Sequence, residues 1–162
     1  MAWPYSPQEV MDRLGIYDMY ARYAHALDAQ DFDTLDRDVF LPETVFDWAE
    51  AGGERLAWPE AREGDLLRAR TFPLIFHFSG VYQIDFEEPG DRARVKTKML
   101  HPSGLYGPDG TPQMFQVQGG YDDVLVRTQA GWRIIERVWR HFWVVGGLEY
   151  VGDGMTGMAE GD

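Results

Sequence analysis

The sequence predicts an α+β domain in which N-terminal helices pack on a long, curved, mainly antiparallel sheet. Three observations predict it. Over its first part the 162-residue chain repeats apolar residues at three- and four-residue steps, and from Leu74 onward the repeat drops to two. Turn chemistry at Glu88-Pro-Gly-Asp91, Gly107-Pro-Asp-Gly110 and Gln129-Ala-Gly131 then divides the second part into four apolar runs. Helices followed by a meander form two layers, with the sheet curling over the helices into a cone. With 44% hydrophobic residues the chain suits one domain, residues 1–150, with a core and a pocket that bury roughly 70% of the extended surface. Residues 151–162, Gly- and Met-rich and acidic, are expected to form a loose tail or a lid over the pocket mouth.

The first helix is announced by its cap. Ser6-Pro-Gln-Glu9 places an acceptor hydroxyl, a first-turn proline and a glutamate where a helix N-terminus uses them. Val10, Leu14, Tyr17, Tyr20, Ala21, Ala24 and Leu27 then recur at helical spacing to about Ala29, with Asp28 on or beside that stripe and Tyr23 at its edge. A short helix from Phe32 to Val39 opens at Asp31, and Glu43 to Trp48 reads as a strand after Pro42. Residues 50–72, broken by Gly52-Gly53 and Gly64, read as a loop plus one helix that can serve as a lid.

The strand from Arg92 to His101 is the cleanest of the meander. Ala93, Val95, Thr97 and Met99 alternate with Arg94, Lys96 and Lys98, so period two turns His101 toward the core or a pocket. His77 lies in the apolar run Pro73-Leu-Ile-Phe-His-Phe-Ser79, where alternation does not settle its direction because Ser79-Gly80 can form a bulge. The last strand, Trp132 to Trp143, is bulky on both faces and predicts core on one side and another subunit on the other.

Composition excludes several classes. The net charge of −12 and the lack of a basic cluster exclude a phosphate backbone as partner. With no cysteine there is neither a disulfide nor a thiolate, and no apolar run reaches membrane-spanning length. The opening Met-Ala-Trp-Pro-Tyr-Ser lacks the basic and apolar segments of a signal peptide, so a soluble cytoplasmic protein is expected. Gly152-Asp-Gly-Met-Thr-Gly157 spells a dinucleotide fingerprint without room for the βαβ unit, and is a chance match. His25, Asp28 and His77 have no metal-ligand spacing, so no metal is assigned.

The pair that most suggests chemistry is His77 with Asp28. An imidazole beside a carboxylate is held in one tautomer and made more basic, which suits proton abstraction near neutral pH. Each residue also has a plain alternative. Asp28 can end one helix or cap the next, His77 can be a core histidine, and His101 opens a His-Pro-Ser-Gly turn. The tyrosines can be core aromatics, Arg140 can pair with Glu136, and Asp122-Asp123 reads as a solvated strand end.

From about Ser6 to Gly147 the chain resembles the SnoaL-like branch of the nuclear-transport-factor-2-like superfamily. The resemblance is carried by Ile16 to Asp33, by the His77 strand and by Gly131-Trp-Arg-Ile-Ile-Glu-Arg-Val-Trp-Arg140. Within that group it is similar to scytalone dehydratase, bile-acid 7α-dehydratase and hexachlorocyclohexane dehydrochlorinase. The resemblance implies a cone-shaped fold, a homotrimer or other homo-oligomer, and an Asp–His dyad falling on Asp28 and His77. The bile-acid enzyme further implies a helix tyrosine at Tyr23 and a late-strand arginine at Arg140. Scytalone dehydratase has a second histidine where this chain reads Gln116 to Tyr121, so that acid is either missing or replaced by His101 or Tyr121.

The function expected is a cofactor-independent dehydratase, a lyase acting on a small, largely apolar, cyclic molecule of polyketide- or steroid-like shape. His77, oriented by Asp28, removes a proton beside a carbonyl; Tyr23 protonates the leaving oxygen; Arg140 binds a carbonyl or carboxylate. His101, Tyr121, Trp48 and Phe142 complete the substrate contacts. Such chemistry needs no cofactor. Two alternatives stand beside it: an isomerase or polyketide cyclase using the same base, and a non-catalytic subunit like the small subunit of ring-hydroxylating dioxygenases.

Overall fold

The computed structural model describes residues 5–147; the expected tail, residues 151–162, lies outside them. Helix α1 spans Pro7–Asp28, and the Ser6 side chain accepts from the Glu9 N–H at its start. It carries the segment that holds Tyr20, Tyr23 and Asp28 against the sheet. Its buried stripe is Asp12, Ile16, Met19, Tyr20, Tyr23, Ala26 and Leu27, whereas Leu14 and Tyr17 are 59% and 47% exposed. The expected stripe was therefore out of phase. The helix has apolar residues on several sides, and polar tethers to the sheet, Arg127 to Asp12 and Tyr20 to Asp123, choose the buried one. Tyr23 moves from the edge of the stripe to its middle.

Helix α2, Phe32–Thr34, is capped by Asp31 and runs into a π-helical turn, Leu35–Val39, where one expected short helix stood. Strand β1 is Phe40–Asp47, longer than expected because it passes through Pro42. The proline is tolerated at an irregularity in the pairing of β1 with β7, between Phe40 and Val45. There the Thr44 hydroxyl accepts from Leu41 N–H and donates to the Ile134 carbonyl, filling the interrupted ladder. A 3-10 turn (Ala49–Ala51), strand β2 (Arg55–Ala57) and helix α3 (Trp58–Thr71) follow. Trp58, Ala61 and Ala69 of α3 are buried, so α3 is a packed wall of the cone rather than a loose cover.

The remaining strands are β3 (Leu74–Ile75), β4 (Phe78–Glu87), β5 (Arg92–Tyr106), β6 (Pro112–Thr128) and β7 (Gly131–Gly146). They form one seven-stranded sheet in the order β2-β1-β7-β6-β5-β3, with β4 also on β5. Among the described residues only the β1–β7 pairing is parallel. On β5, Ala93, Val95, Thr97, Met99 and His101 are all buried and Arg94, Lys96 and Lys98 are exposed, as period two predicts. Gly119 and Gly120 sit where β5, β6 and β7 crowd together; a Cβ on Gly120 would lie 2.2 Å from the Thr97 carbonyl oxygen. At that point β6 bends against β7, and Tyr121 turns into the cone with its N–H on the Thr97 hydroxyl.

On β7, Phe142, Trp143, Val144 and Val145 are about half exposed, at 45–55%. These four consecutive residues divide between the two faces of the strand end, so they do not make up the single apolar second face expected.

Candidate active site

The edge of the sheet is broken where it matters. Leu74 and Ile75 pair with Gly104 and Ser103, Phe78 pairs with Leu100, and the two residues between leave the ladder. Phe76 N–H still reaches the Pro102 carbonyl, but His77 N–H turns to the Asp28 carboxylate, 3.0 and 3.2 Å from its two oxygens. The same carboxylate takes the ring Nδ1–H at 2.7 Å. His77 is buried at 9% exposure, while Phe76 and Phe78 are 55% and 58% exposed, so the break turns the imidazole inward and both phenyl rings out. A kinked edge strand, not alternation, decides that direction.

Asp28 is the last residue of α1, where a negative charge is disfavoured by the helix dipole. Asp31, not Asp28, caps the next helix. The partner of Asp28 is His77, with backbone and ring held together. Because a carboxylate only accepts, Nδ1 carries the proton and the Nε2 lone pair is left to act as a base.

His101 lies against His77, with ring centroids 3.9 Å apart. Burial, with the nearby His77 and then Arg68 adding to it, pushes its pKa down to about 2, so it stays neutral. Its Nε2 is buried without a hydrogen-bond partner among the described residues. Tyr23 lies beyond, 6.1 Å from the His77 ring and from the Tyr121 ring, and the two phenol oxygens meet at 3.1 Å. Burial, reinforced for Tyr23 by its neighbour Tyr121, raises both phenols above their ordinary range. They are donors rather than acids near neutrality.

Behind the tyrosines is a buried ion pair that the sequence reading missed. Arg137 Nε and Nη2 bond the two oxygens of Asp123 at 2.9 and 2.7 Å, and Tyr20 donates to Asp123 at 2.6 Å. The side chains of Arg137 and Asp123 are 2% and 0% exposed. The guanidinium lies 3.9 Å from the Tyr121 ring centre and 4.3 Å from that of Tyr23, and its Nη1 has no partner among the described residues. Asp123 is therefore no solvated strand end; only Asp122 faces outward. The signal was there in period two, since Asp123 follows Tyr121 by two and Arg137 precedes Trp139 by two.

Two expected contacts fall outside this cluster. Arg140 lies opposite Gly120 on the outer face of the sheet, where it bonds Asp122 at 2.8 Å and Glu50 at 2.5 Å. Phe142 also lies on that face, with the Lys98 ammonium 5.1 Å from its ring centre. Both residues are displaced by pleating: Arg137 and Trp139 point in, so Arg140 points out. Trp48 keeps a place beside the site, half-buried, stacked 6.0 Å from Phe46 and edge-on to Trp139 at 5.7 Å.

A separate cleft of about 380 Å³ opens between α1 and the β6–β7 turn, lined by Asp18, Arg22, Asp38 and Arg133 among others. Its arginines are satisfied by Asp18, Asp38 and backbone carbonyls, and it holds none of the histidines or tyrosines above. His25 is exposed on α1, away from that cluster, and the described residues contain no group of three His, Asp or Glu side chains placed to share a metal. Nor is any described helix long and apolar enough to cross a membrane.

Among the described residues, three helices packed on a large, mostly antiparallel open sheet define a nuclear-transport-factor-2-like cone. The chain belongs to the SnoaL-like domain family, whose model matches residues 8–138. An uncharacterized protein of Mycobacterium tuberculosis is 33% identical over 133 residues, covering 82% of this chain and 87% of that one. Among solved structures, a Novosphingobium aromaticivorans protein provisionally assigned as a scytalone dehydratase superposes with a TM-score of 0.72 at 18% identity, covering 86% of this chain and 89% of its own. The hexachlorocyclohexane dehydrochlorinase of Novosphingobium barchaimii superposes with a TM-score of 0.69 at 15% identity, covering 88% and 95%. Those likenesses establish the fold.

Proposed function

We propose that the protein is a cofactor-independent lyase, a dehydratase that uses His77 as general base on a small, largely apolar, cyclic substrate. The observation that carries this reading is the double grip of Asp28 on His77, at ring and backbone, which presents Nε2 as the free base. The unpartnered Nε2 of His101 and Nη1 of Arg137 support it, because buried polar atoms without partners are costly in a core that no ligand meets.

The step reads as follows. His77 Nε2 takes a proton from the carbon next to a carbonyl, and the electron pair moves onto the carbonyl oxygen as an enolate. The Tyr23–Tyr121 pair, with the Arg137 charge behind it, faces that developing charge with hydrogen-bond donors. The enolate collapses, a carbon–carbon double bond forms, and the bond to the neighbouring hydroxyl breaks. His101 is held neutral and both phenols are raised, so the His77 imidazolium is the acid in the site with a proton to release. It returns that proton to the departing oxygen, which leaves as water. Tyr23 thus serves as donor to the oxyanion rather than as the acid that the sequence suggested. An isomerase or cyclase would share the first half of this step.

The reading extends to a homo-oligomer, with a trimer favoured by the family resemblance, and the half-exposed apolar residues near the end of β7, Phe142, Trp143, Val144 and Val145, support it as surface that a second subunit can cover. The test of the chemistry is proton exchange. A panel of cyclic 3-hydroxyketones is incubated in deuterated water with the protein and followed by mass spectrometry for label at the α-carbon and for loss of water. Wild type is expected to do both on at least one ketone, and His77→Ala, folded by circular dichroism, to do neither. Equal exchange by the two proteins removes His77 from the chemistry.

A further inference from the structure

The cleft between α1 and the β6–β7 turn contains an arginine with no acid of its own. Arg133 is 7% exposed; its Nε and Nη2 donate to the Arg37 carbonyl at 3.1 and 2.9 Å, and its Nη1 to the Trp132 carbonyl at 2.9 Å. Carbonyl oxygens satisfy donors but carry no net charge, so this guanidinium is hydrogen-bonded without being neutralised. The two acids that line the cleft are engaged elsewhere. Asp38 accepts from Arg37 Nε and Nη2 at 3.0 and 2.8 Å, Asp18 accepts from Arg22 Nε at 2.7 Å, and Arg22 Nη1 stands 3.6 Å from Asp38. No carboxylate among the described residues forms an ion pair with Arg133. Burial accordingly pulls its pKa below the ordinary arginine value, a loss that the nearby Asp38 does not make up.

The cleft is also kept open. One of its lining residues is Gly15, inside a 22-residue helix, where glycine weakens the helix relative to alanine. Nothing in the fold requires a glycine there. Gly15 is not among the positive-φ glycines, and a Cβ on it would meet Trp132 Cδ1 at 3.5 Å, an ordinary contact. Only a longer side chain would enter the cleft. Gly15 therefore preserves a space of about 380 Å³, the room of roughly a dozen water molecules.

The groups around that space decide what it accepts. Arg22 with Asp18 and Arg37 with Asp38 cancel in pairs, which leaves the single positive charge of Arg133. Three of its five N–H groups are used, so one donor remains on each Nη, the pair that a carboxylate engages with two oxygens. Nη1 lies at the cleft wall, 3.5 Å from where a Cβ on Gly131 would stand. The buried Met19 and Trp132 make part of the lining apolar, which suits a carbon skeleton better than a phosphate. The chain's charge of −12 does not forbid an anion here, since exposed charges more than about 8–10 Å away are largely screened at ordinary salt.

We infer that this cleft is a second ligand site, separate from the histidines, and that it takes a small organic monocarboxylate. Arg133 binds the carboxylate, and the absence of a side chain at Gly15 leaves room for the body of the molecule. The inference stands apart from the lyase reading, since none of its residues belongs to the dyad or the tyrosine pair.

The test is titration calorimetry with three probes, benzoate, its neutral counterpart benzamide and inorganic phosphate, joined to amide chemical shifts that locate the bound molecule. Wild type is expected to bind benzoate at least about tenfold more tightly than either other probe, with shifts at the Gly15 and Gly131 amides. Arg133→Met should weaken benzoate at least about tenfold, and Gly15→Leu, which fills the cleft and favours the helix, should do the same without lowering the melting temperature. Asp18→Asn removes a negative charge from the lining and should tighten benzoate about threefold, a gain that a damaged fold does not produce. Arg140→Ala, which removes an equal charge from the outer face of the sheet, and His77→Ala should both bind benzoate as wild type does. The inference is overturned if benzamide or phosphate binds as tightly as benzoate, if nothing binds, or if the shifts centre on His77 instead of the cleft. It is equally overturned if Gly15→Leu or a folded Arg133→Met keeps wild-type affinity, or if Asp18→Asn brings no gain. Should Arg133→Met fail to fold, Gly15→Leu and Asp18→Asn decide. Loss of α-proton exchange in the ketone assay would end the lyase reading and leave this site untouched, and the converse holds for loss of benzoate binding.

Discussion

Asp122 and Asp123 are neighbours with the same side chain, and the fold gives them opposite consequences. Asp123 accepts three hydrogen bonds, from Tyr20 at 2.6 Å and from Arg137 at 2.9 and 2.7 Å, and its side chain is fully buried. Asp123→Asn removes the charge that neutralises Arg137 and replaces one acceptor oxygen by a donor facing a donor. Breaking a buried pair from one side costs about 3–5 kcal/mol, because the remaining charge is stranded. In a domain of this size that is a loss of roughly 6–20 °C in melting temperature. Asp122 meets only the half-exposed Arg140 on the outer face, so Asp122→Asn should cost about 0–1 kcal/mol. Urea denaturation of both variants beside wild type, at neutral pH and moderate salt, gives the comparison directly. Losses that are equal, or a loss below about 1 kcal/mol for Asp123→Asn, would falsify the reasoning that the Arg137 pair is a closed internal charge.

Other outcomes follow from the same geometry. Asp28→Asn offers an amide to His77 Nδ1 and favours the tautomer whose Nε2 carries the proton, so exchange in the ketone assay should fall by about 10²–10⁴ with little loss of stability. His101 has a folded pKa of about 2 against an ordinary 6.5, so the unfolded chain takes up a proton that the folded one refuses. Its contribution is complete above about pH 6.5 and shrinks as pH falls toward about 2, a loss of about 2 kcal/mol by pH 5. His101→Asn should lose less stability than wild type between pH 7.5 and pH 5 in chemical denaturation; an equal loss rejects this origin. Arg140→Ala should leave exchange within about twofold and stability within about 1 kcal/mol, since its partners lie on the outer face; a large fall in exchange would return Arg140 to the site.

Much of this protein was legible in one dimension. The Ser6 cap, the change from helical to alternating period, and the turn dipeptides announced helices before a meander, because each is a local property of the backbone. The inward set of β5 was readable to the residue, His101 included, since the charged Arg94, Lys96 and Lys98 alternate with it. Asp28 and His77 were nameable as a pair, and the three-dimensional fold brings them to 2.7 Å.

What sequence could not decide is direction. The phase of α1 escaped it because Leu14 and Tyr17 are as apolar as Ile16 and Tyr20; the bonds of Asp12 to Arg127 and of Tyr20 to Asp123, both on the distant strand β6, break the tie. His77 turns inward because the edge strand breaks there and its N–H finds Asp28, 49 residues away along the chain. Arg137 rather than Arg140 enters the cone because the pleat of β7 against β6 sets the face. Local pattern determines which elements form; only the pairing of distant ones determines which side of each element faces the interior of the cone.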